Sequence, residues 1–153
     1  EGGRYAGTPD EWFWRISSVL PFVDYVDIEQ RFSRHAGPIR DAGKTVIASC
    51  HTGEMPGLPE LFDLERTLRS TGDIVKIIVS PRSREDIIDL ITFTHAVARP
   101  LCTGVMGDTF RYARAILPLF GSEFAYCRVG APAAQGQYSV REFVQLRELL
   151  GIA

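Results

Sequence analysis

A lysine occupies the centre of an apolar segment, "TGDIVKIIVSP" (71–81). Residues 73–79 have strand character and the neighbours of Lys76 are apolar, which predicts a strand that is covered on both faces. Of the 17 basic residues only Lys44 and Lys76 are lysines, and the other 15 are arginines. Arginine stays protonated, whereas a desolvated lysine can lose its proton and act as an amine nucleophile. Lys76 is therefore a candidate nucleophile; the alternative is an edge strand whose amine reaches solvent.

Other polar groups fall near the ends of predicted strands. In parallel α/β folds the site is built at the carboxyl ends of the strands. A histidine and an arginine on the same rim as Lys76 would suit one reaction class. The lysine would condense with a carbonyl to form an iminium, the histidine would move protons, and the arginine would bind a carboxylate through a bidentate pair. The candidates on this rim besides the lysine are Glu29, His51, Met106, Arg114 and Tyr126.

Each candidate also has a plainer interpretation. His51 could be a hydrogen-bonded core histidine, Arg114 a surface charge, and Glu29 a residue that caps its strand or pairs with an arginine. His35 and His95 have the pattern of loop and helix-surface residues.

The three cysteines, Cys50, Cys102 and Cys127, form no CxxC pair. Each lies at or near the end of an apolar run, which is typical of buried small hydrophobic residues in a reducing cytoplasm. A Cys50–His51 nucleophile and base is rejected because adjacent residues on a strand point to opposite faces.

The elements that must position these groups alternate between apolar strands and amphipathic helices. Strands start near residues 22, 45, 73, 100 and 123, so each βα unit takes 23 to 28 residues. This rhythm predicts parallel strands joined by crossovers. The chain holds five such units, whereas a barrel has eight, so it is either a doubly wound open sheet or the later part of an eight-stranded barrel. The sequence has neither GxGxxG nor GxxxxGK[ST] after a strand, which counts against a nucleotide-binding open sheet.

Helix boundaries follow from capping signals. Thr8 to Glu11 is a capping box that opens a helix to about Leu20, and Ser83 with Asp86 and Ser139 with Glu142 cap two more. Other helices are predicted from Pro38, from Pro59 and around 109–117. The predicted strands are 22–29, 45–50, 73–79, 100–106 and 123–129, and 130–137 is a loop. The last helix should face the core with Val140, Phe143, Val144, Leu146 and Leu149.

Length and composition narrow the functional class. At 153 residues, 1–153 is predicted to be a single domain with a real core. A net charge of −2 argues against nucleic acid as a partner, since no basic stripe is available for phosphates. The sequence shows neither a membrane-length apolar run nor a signal peptide, so we expect a cytoplasmic protein. The opening "EGGRYAG" looks like an interrupted loop rather than a natural start.

Several short motifs occur in the order seen in type I 3-dehydroquinate dehydratase. They are "EGG", "VDIE", "ASCH", "GDIVKI", Arg114 with "FGS" six residues on, and the late "GQ". The resemblance runs from Glu1 to the C-terminal helix, and the lysine strand and "FGS" are its most specific parts. It implies a (β/α)8 TIM barrel of the shikimate pathway in which this chain covers about the last five βα units, with the first three strands absent.

The resemblance also implies roles for individual residues. Lys76 would form the Schiff base with the C3 carbonyl of 3-dehydroquinate, and His51 would be the general acid/base. Glu1 would orient His51, Arg114 would bind the substrate carboxylate, and Gln137 would lie on the loop that closes over the substrate. Met106 and Tyr126 match apolar and aromatic positions that line the pocket. Neither a metal nor an organic cofactor is implied.

The chain departs from the family pattern at two places. An acidic and an aromatic residue usually follow the histidine, where this chain has Thr52 and Gly53. The lid usually reads Ser-Ala-Pro-Gly-Gln, where this chain has 133–137 as Ala-Ala-Gln-Gly-Gln, so a substrate-contacting hydroxyl is missing at Ala133. These departures bear on substrate affinity more than on imine chemistry.

Two other functions stay open. One is another class I imine-forming enzyme such as an aldolase, for which a phosphate-binding helix N-terminus near the last strand would argue. The other is a non-catalytic relative that uses the fold for binding, which the altered lid favours and the retention of Lys76 and His51 opposes. An open piece of a barrel exposes strand edges, so we expect the isolated chain to be marginally stable or to associate, and a homodimer is possible.

Overall fold

The computed structural model describes residues 5–151, and Glu1, with its predicted role beside His51, lies outside the described residues. Four parallel strands alternate with helices along the chain. The strands are β1 (Tyr25–Glu29), β2 (Thr45–His51), β3 (Ile74–Val79) and β4 (Leu101–Val105). The α-helices are α1 (Pro9–Ser17), α2 (Ala36–Asp41), α3 (Leu58–Arg69), α4 (Arg84–Ala96), α5 (Ala113–Ile116) and α6 (Val140–Leu149). Short 3₁₀ helices cover Leu20–Phe22, Gln30–His35 and Leu117–Phe120.

The sheet has the order β1-β2-β3-β4, with every pair parallel. This is the arrangement that the βα rhythm predicts. A helix between two strands returns the chain to the end of the sheet where the first strand began, so the next strand runs in the same direction. All six residues of β3 are buried, as its apolar sequence predicts for a strand covered on both faces. Lys76 is opposite Ser49 of β2 and Cys102 of β4.

The main core lies between the sheet and the helices α3 and α4. Val75, Ile77 and Val79 are fully buried on one face of β3, where they pack with Leu61 of α3 and Phe93 of α4. Burying side chains of this size stabilises the fold by about 1.5–3 kcal/mol each. Lys76 alternates with these residues and therefore projects from the opposite face of the sheet.

The predicted capping boxes form. Thr8 Oγ1 accepts from the Glu11 N–H at 3.2 Å, and the same reciprocal pairing opens α4 at Ser83 and α6 at Ser139. Each box satisfies two backbone donors that the first turn of a helix leaves without a partner. Such short-range signals depend on a few adjacent residues, which is why the sequence locates them well.

Three predicted boundaries were wrong. The first helix ends at Ser17 rather than near residue 20, and the first strand begins at Tyr25 because Leu20–Phe22 around Pro21 forms a 3₁₀ turn. The helix predicted around 109–117 contracts to α5 and a 3₁₀ turn. Pro118 has no N–H to donate to the carbonyl four residues earlier, and its ring crowds that carbonyl, so the α-helix ends ahead of it.

The fifth predicted strand, 123–129, does not form a ladder with β4. The Ser122 hydroxyl accepts from the Thr103 N–H at 3.0 Å and donates to the Thr103 carbonyl at 3.2 Å, so it binds the backbone groups that a neighbouring strand would use. The Glu123 N–H bonds to Leu101 O at 2.8 Å, and further along Arg128 forms an isolated bridge with Ser139. The segment lies beside the sheet as extended chain.

The prediction that α6 faces the core was also wrong. Its described residues include none that is buried, and Val140, Val144 and Leu149 are exposed, Leu149 at 85%. Phe143 and Leu146 are half-buried. Of the described elements, α6 packs mainly on α5. Most of its apolar side therefore meets solvent.

Among residues 5–151, the helices are all too short or too polar to cross a bilayer.

Candidate active site

Alternation along three neighbouring strands brings polar side chains to one cleft. Asp27 and Glu29 are two residues apart on β1, and Ser49 and His51 are two apart on β2, so each pair shares the face of the sheet that Lys76 occupies on β3. These five residues line a cleft of about 490 Å³, together with Tyr5, Trp12, Arg31 and Phe32. Pockets of this volume hold small organic molecules.

Lys76 has two close neighbours in the cleft. Its Nζ donates to Asp27 Oδ2 at 2.7 Å and lies 4.4 Å from the centre of the Tyr126 ring. Only 8% of the residue is exposed, and β3 lies between β2 and β4. The alternative of an edge strand with a solvated amine is therefore wrong. An ammonium in such a place needs a paired charge, which Asp27 supplies.

Two groups near this pair, Tyr126 and Cys102, are held neutral. Burial, with the nearby Asp27 charge and Cys102, raises the pKa of Tyr126 far above its ordinary value, so its hydroxyl stays protonated and lies 3.5 Å from Asp27 Oδ2. Burial raises the pKa of Cys102 to about 11, although the Ser122 hydroxyl and the Lys76 charge oppose the shift. Its thiol donates to the Phe124 carbonyl at 3.4 Å. Near neutral pH, therefore, neither group supplies a negative charge that would pair with the Lys76 ammonium in place of Asp27.

His51 is at the carboxyl end of β2, beside a second carboxylate. Its Nδ1 is 3.7 Å from Glu29 Oε1, and both side chains are partly accessible from the cleft. The next residue, Thr52, turns away, since its hydroxyl donates to the Glu54 carbonyl at 2.6 Å. The structure therefore places a histidine and a lysine in one cleft, each with its own carboxylate.

Arg114 lies on α5, the helix that follows β4. Burial lowers the pKa of its guanidinium, and the nearby Arg111 charge adds to the decrease, while Tyr138 opposes it. Arg114 lines a small recess together with Cys102 and Tyr126, and it is outside the lining of the Lys76 cleft. One of its N–H groups donates to the Gln135 carbonyl at 3.3 Å. Arg114 is thus a half-buried cation close to the cleft rather than a freely exposed surface charge.

The predicted lid is folded on itself. Gln137 accepts from the Ala133 N–H at 3.1 Å and donates to the Tyr126 carbonyl at 3.3 Å, so its amide is used within the loop and at the edge of the site. Gly136 has φ of +76° and packs against the Gly107 carbonyl so closely that a Cβ would collide with it. In the described part of the chain, Met106, Ala133 and Gln137 lie outside the lining of the Lys76 cleft.

Sequence reasoning missed Asp27 and Ser49. A signal was present, because "VDIE" places Asp27 two residues before Glu29 and therefore on the same face of β1. Choosing Asp27 as the partner of Lys76 also requires the register of β1 on β2 and β2 on β3, which only the structure supplies.

A parallel α/β sheet with its polar cleft at the carboxyl ends of the strands defines a protein of the α/β class, which contains both barrels and doubly wound sheets. The model of the family described as type I 3-dehydroquinase matches residues 1–153. The chain belongs to the type I 3-dehydroquinase family, and the predicted family and barrel fold are confirmed.

The relatives support this assignment over nearly the whole chain. A 3-dehydroquinate dehydratase of Methanoregula boonei is 63% identical over 150 residues, covering 98% of this chain and 72% of the relative. One from Methanospirillum hungatei is 42% identical, covering 98% of this chain and 59% of the relative. The crystal structure of the enzyme from Aquifex aeolicus superposes with a TM-score of 0.81 at 30% identity, covering 97% of this chain and 69% of that one. The enzyme from Clostridium difficile, at 22% identity and a TM-score of 0.86, shows the fold alone and covers 98% and 65%. The chain thus spans about 59–72% of the length of these relatives.

Proposed function

We propose that the chain carries the lysine and histidine of a 3-dehydroquinate dehydratase, a hydro-lyase of the shikimate pathway that converts 3-dehydroquinate to 3-dehydroshikimate and water. The observation that carries the proposal is the Lys76 amine, which is nine-tenths buried in a cleft of small-molecule size and held 2.7 Å from Asp27. The relatives at 63% and 42% identity are named for this reaction.

The proposed first stage is covalent. The Lys76 amine adds to the C3 carbonyl of the substrate, water leaves, and a cationic imine links Nζ to C3. The positive nitrogen then accepts electrons when a proton is removed from C2. This makes loss of the C1 hydroxyl possible without a free carbanion.

The second stage is proton transfer. His51, in the same cleft as Lys76, is proposed to move protons during imine formation, to assist loss of water across C1 and C2, and to support hydrolysis that frees the lysine. Glu29 lies 3.7 Å from its ring nitrogen and can orient it. Glu1 remains proposed for the same task on the resemblance alone.

Binding is proposed to fall to groups around the cleft. Arg114, which shares a recess with Tyr126, would hold the substrate carboxylate through a bidentate pair. Gln137 would exchange its bonds within the lid for bonds to substrate, while Ala133, Met106 and Tyr126 would shape the pocket. A loop that folds on itself in the free protein can supply such contacts on closing.

The organisation of the whole protein is also proposed. The chain would be one domain, 1–153, forming the C-terminal portion of a (β/α)8 barrel; the four parallel strands and the 59–72% coverage of the relatives support this. Its three cysteines are free thiols, which fits a reducing cytoplasm. A homodimer is proposed from the exposed apolar side chains.

One observation favours the dehydratase over an aldolase with a phosphorylated substrate. The N-terminus of α6, the helix after the last segment, already binds a carboxylate of its own. Glu142 Oε2 accepts from the Ser139 N–H at 2.7 Å, and the Ser139 hydroxyl accepts from the Glu142 N–H. A phosphate would have to displace this box.

The direct test is turnover. Incubated with 3-dehydroquinate, the protein should produce an enone conjugated to the carboxylate, and its absorbance gives the rate. Lys76→Arg should abolish the rate, because a guanidinium forms no imine, and Lys44→Arg should keep it. Equal rates for the two variants, or turnover of a phosphorylated aldol substrate instead, would overturn the proposal.

A further inference from the structure

Asp27 is hydrogen-bonded directly to the Lys76 nitrogen. The 2.7 Å distance from Oδ2 to Nζ is that of a charge-assisted hydrogen bond. Asp27 reaches it across β2, since the two residues belong to strands that are not adjacent in the sheet. The Lys76 side chain is 10% exposed, and that of Asp27 is 34% exposed.

A purely structural salt bridge does not account for this position. Ion pairs on the surface contribute little to stability, and a buried pair often contributes less than well-packed apolar residues would. Here the pair opens onto the cleft, with Asp27 on the accessible side and the amine below it. The carboxylate therefore faces the space in which a carbonyl substrate must approach Nζ.

We propose that Asp27 is the positioning group and counter-ion of the Lys76 nitrogen throughout the imine reaction, and that Tyr126 holds Asp27 in place. The inference rests on the proposed function and adds to it a residue and a division of roles. Asp27 serves the lysine, and Glu29 serves the histidine.

In the proposed reaction, imine formation begins and ends with a positive charge on Nζ. The resting ammonium transfers a proton from Nζ to Asp27 Oδ2, which frees the nitrogen lone pair. The lone pair forms the bond to the carbonyl carbon as the carbonyl π electrons move to oxygen, and that oxygen takes up a proton from Asp27. The bonded nitrogen, which now carries two hydrogens and a positive charge, passes one proton to the His51 imidazole. His51 gives that proton to the new hydroxyl, which leaves as water while the nitrogen lone pair forms the second bond to carbon, and the nitrogen is positive again. The carboxylate then faces an iminium in place of an ammonium.

Tyr126 contributes from beside the pair. Its ring lies 4.4 Å from Nζ, where the face of an aromatic ring favours a cation, and its hydroxyl lies 3.5 Å from the same Asp27 oxygen. Because the raised pKa keeps this hydroxyl protonated, it can only donate to Asp27 or accept from a neutral one. It therefore supports the carboxylate without taking the lysine proton permanently.

The small number of lysines gives a readout that does not depend on turnover. When lysine is labelled with ¹⁵N at Nζ, the labelled side-chain signals are those of Lys44 and Lys76. A Lys76 ammonium hydrogen-bonded to Asp27 should give a slowly exchanging Nζ–H signal, assigned with Lys76→Arg. Asp27→Asn should shift and weaken that signal and leave the Lys44 signal in place.

The second readout is the rate of borohydride trapping with 3-dehydroquinate. We expect Asp27→Asn to slow trapping and kcat by at least about tenfold, or about 1.4 kcal/mol, with a smaller change in KM. Asp27→Glu should recover most of the loss, and Tyr126→Phe should cost about two- to fivefold, as expected for one neutral hydrogen bond. Asp24→Asn, just before β1, is the matched control and should behave as wild type.

The outcomes separate the two proposals. If wild type traps substrate and Asp27→Asn traps it equally fast, the role of Asp27 is overturned while the dehydratase stands. If wild type and Asp24→Asn both fail to trap, the proposed function is overturned, and the Lys76 nitrogen signal still decides whether Asp27 binds the amine. An unchanged Lys76 signal in a folded Asp27→Asn protein contradicts the inference by itself.

Discussion

At the scale of residues, the cleft contains two acid–base pairs at alternating positions on three consecutive strands of the sheet. Lys76 is with Asp27, and His51 is with Glu29. Lys76 and His51 could be predicted from sequence, because an ammonium in an apolar strand and a histidine at a strand end are visible in one dimension. Asp27 could not, since its pairing with Lys76 spans β2 and depends on the register of two ladders.

The roles of the two pairs can be separated by changing the histidine. His51→Gln should lower kcat about 10²- to 10⁴-fold, the usual contribution of a general acid/base. The imine should form more slowly but should still be trapped over a long incubation, because Lys76 and Asp27 are intact and water can take over the proton transfers of His51. Steady-state assays combined with adduct mass measure both quantities. His95→Gln, on the exposed surface of α4, is the control and should keep wild-type rates. Loss of the adduct together with turnover in His51→Gln would contradict the division of roles.

At the scale of elements, local signals were predicted well and tertiary ones were not. The capping boxes of α1, α4 and α6 and the apolar run of β3 depend on adjacent residues, and all four form. Residues 123–129 have the composition of a strand but lose the β4 ladder to the Ser122 hydroxyl, a contact across 19 residues that no local pattern reveals.

Asp73 connects the elements around β3 and makes the stability of the sheet pH-dependent. It accepts from the Val46 N–H and from Arg40, both at 2.8 Å. Burial alone would raise the pKa of Asp73, but these hydrogen bonds and the Arg40 charge outweigh it and lower the pKa. The stabilisation is therefore present above the unfolded pKa near 4 and is lost as pH falls through the lower folded value.

Asp73→Asn should lower the free energy of unfolding by about 1–2 kcal/mol at pH 7, a range that allows for solvent screening at a side chain 41% exposed. Below about pH 4 the difference from wild type should shrink. Urea denaturation at several pH values measures it. Asp63→Asn, which removes an exposed ion pair with Arg66, should change stability by less than about 0.5 kcal/mol. A difference that is constant with pH would contradict this account of Asp73.

At the scale of the whole molecule, the sheet has two edge strands and an apolar surface that the described residues leave uncovered. β1 and β4 are the edges. Phe22 and Leu149 are each 85% exposed, and Tyr25 at the start of β1 is 59% exposed. Large exposed apolar groups beside an unpaired strand favour association. Whether a strand edge or a helix face is covered depends on everything that packs beside it. The sequence pattern of α6 therefore could not show that its apolar side stays exposed.

Association should decrease when the edge of β1 carries a charge. Tyr25→Lys should shift the protein toward monomer, because a lysine on an edge strand opposes pairing with another strand. Sedimentation velocity over a concentration series measures the change. Tyr112→Lys places the same charge at an exposed tyrosine outside the sheet and should leave association as in wild type. A monodisperse wild-type monomer that unfolds cooperatively would contradict the expectation.

The central claim is that Lys76 forms a covalent imine with 3-dehydroquinate. Reduction with borohydride in the presence of substrate, followed by peptide mass mapping, tests it with little ambiguity, because the sequence has only two lysine side chains, Lys44 and Lys76, that could carry such an adduct. We expect one adduct, on the peptide that contains Lys76, retained in Lys44→Arg and absent from Lys76→Ala. An adduct on Lys44 alone, or a folded protein with no adduct, would contradict the account.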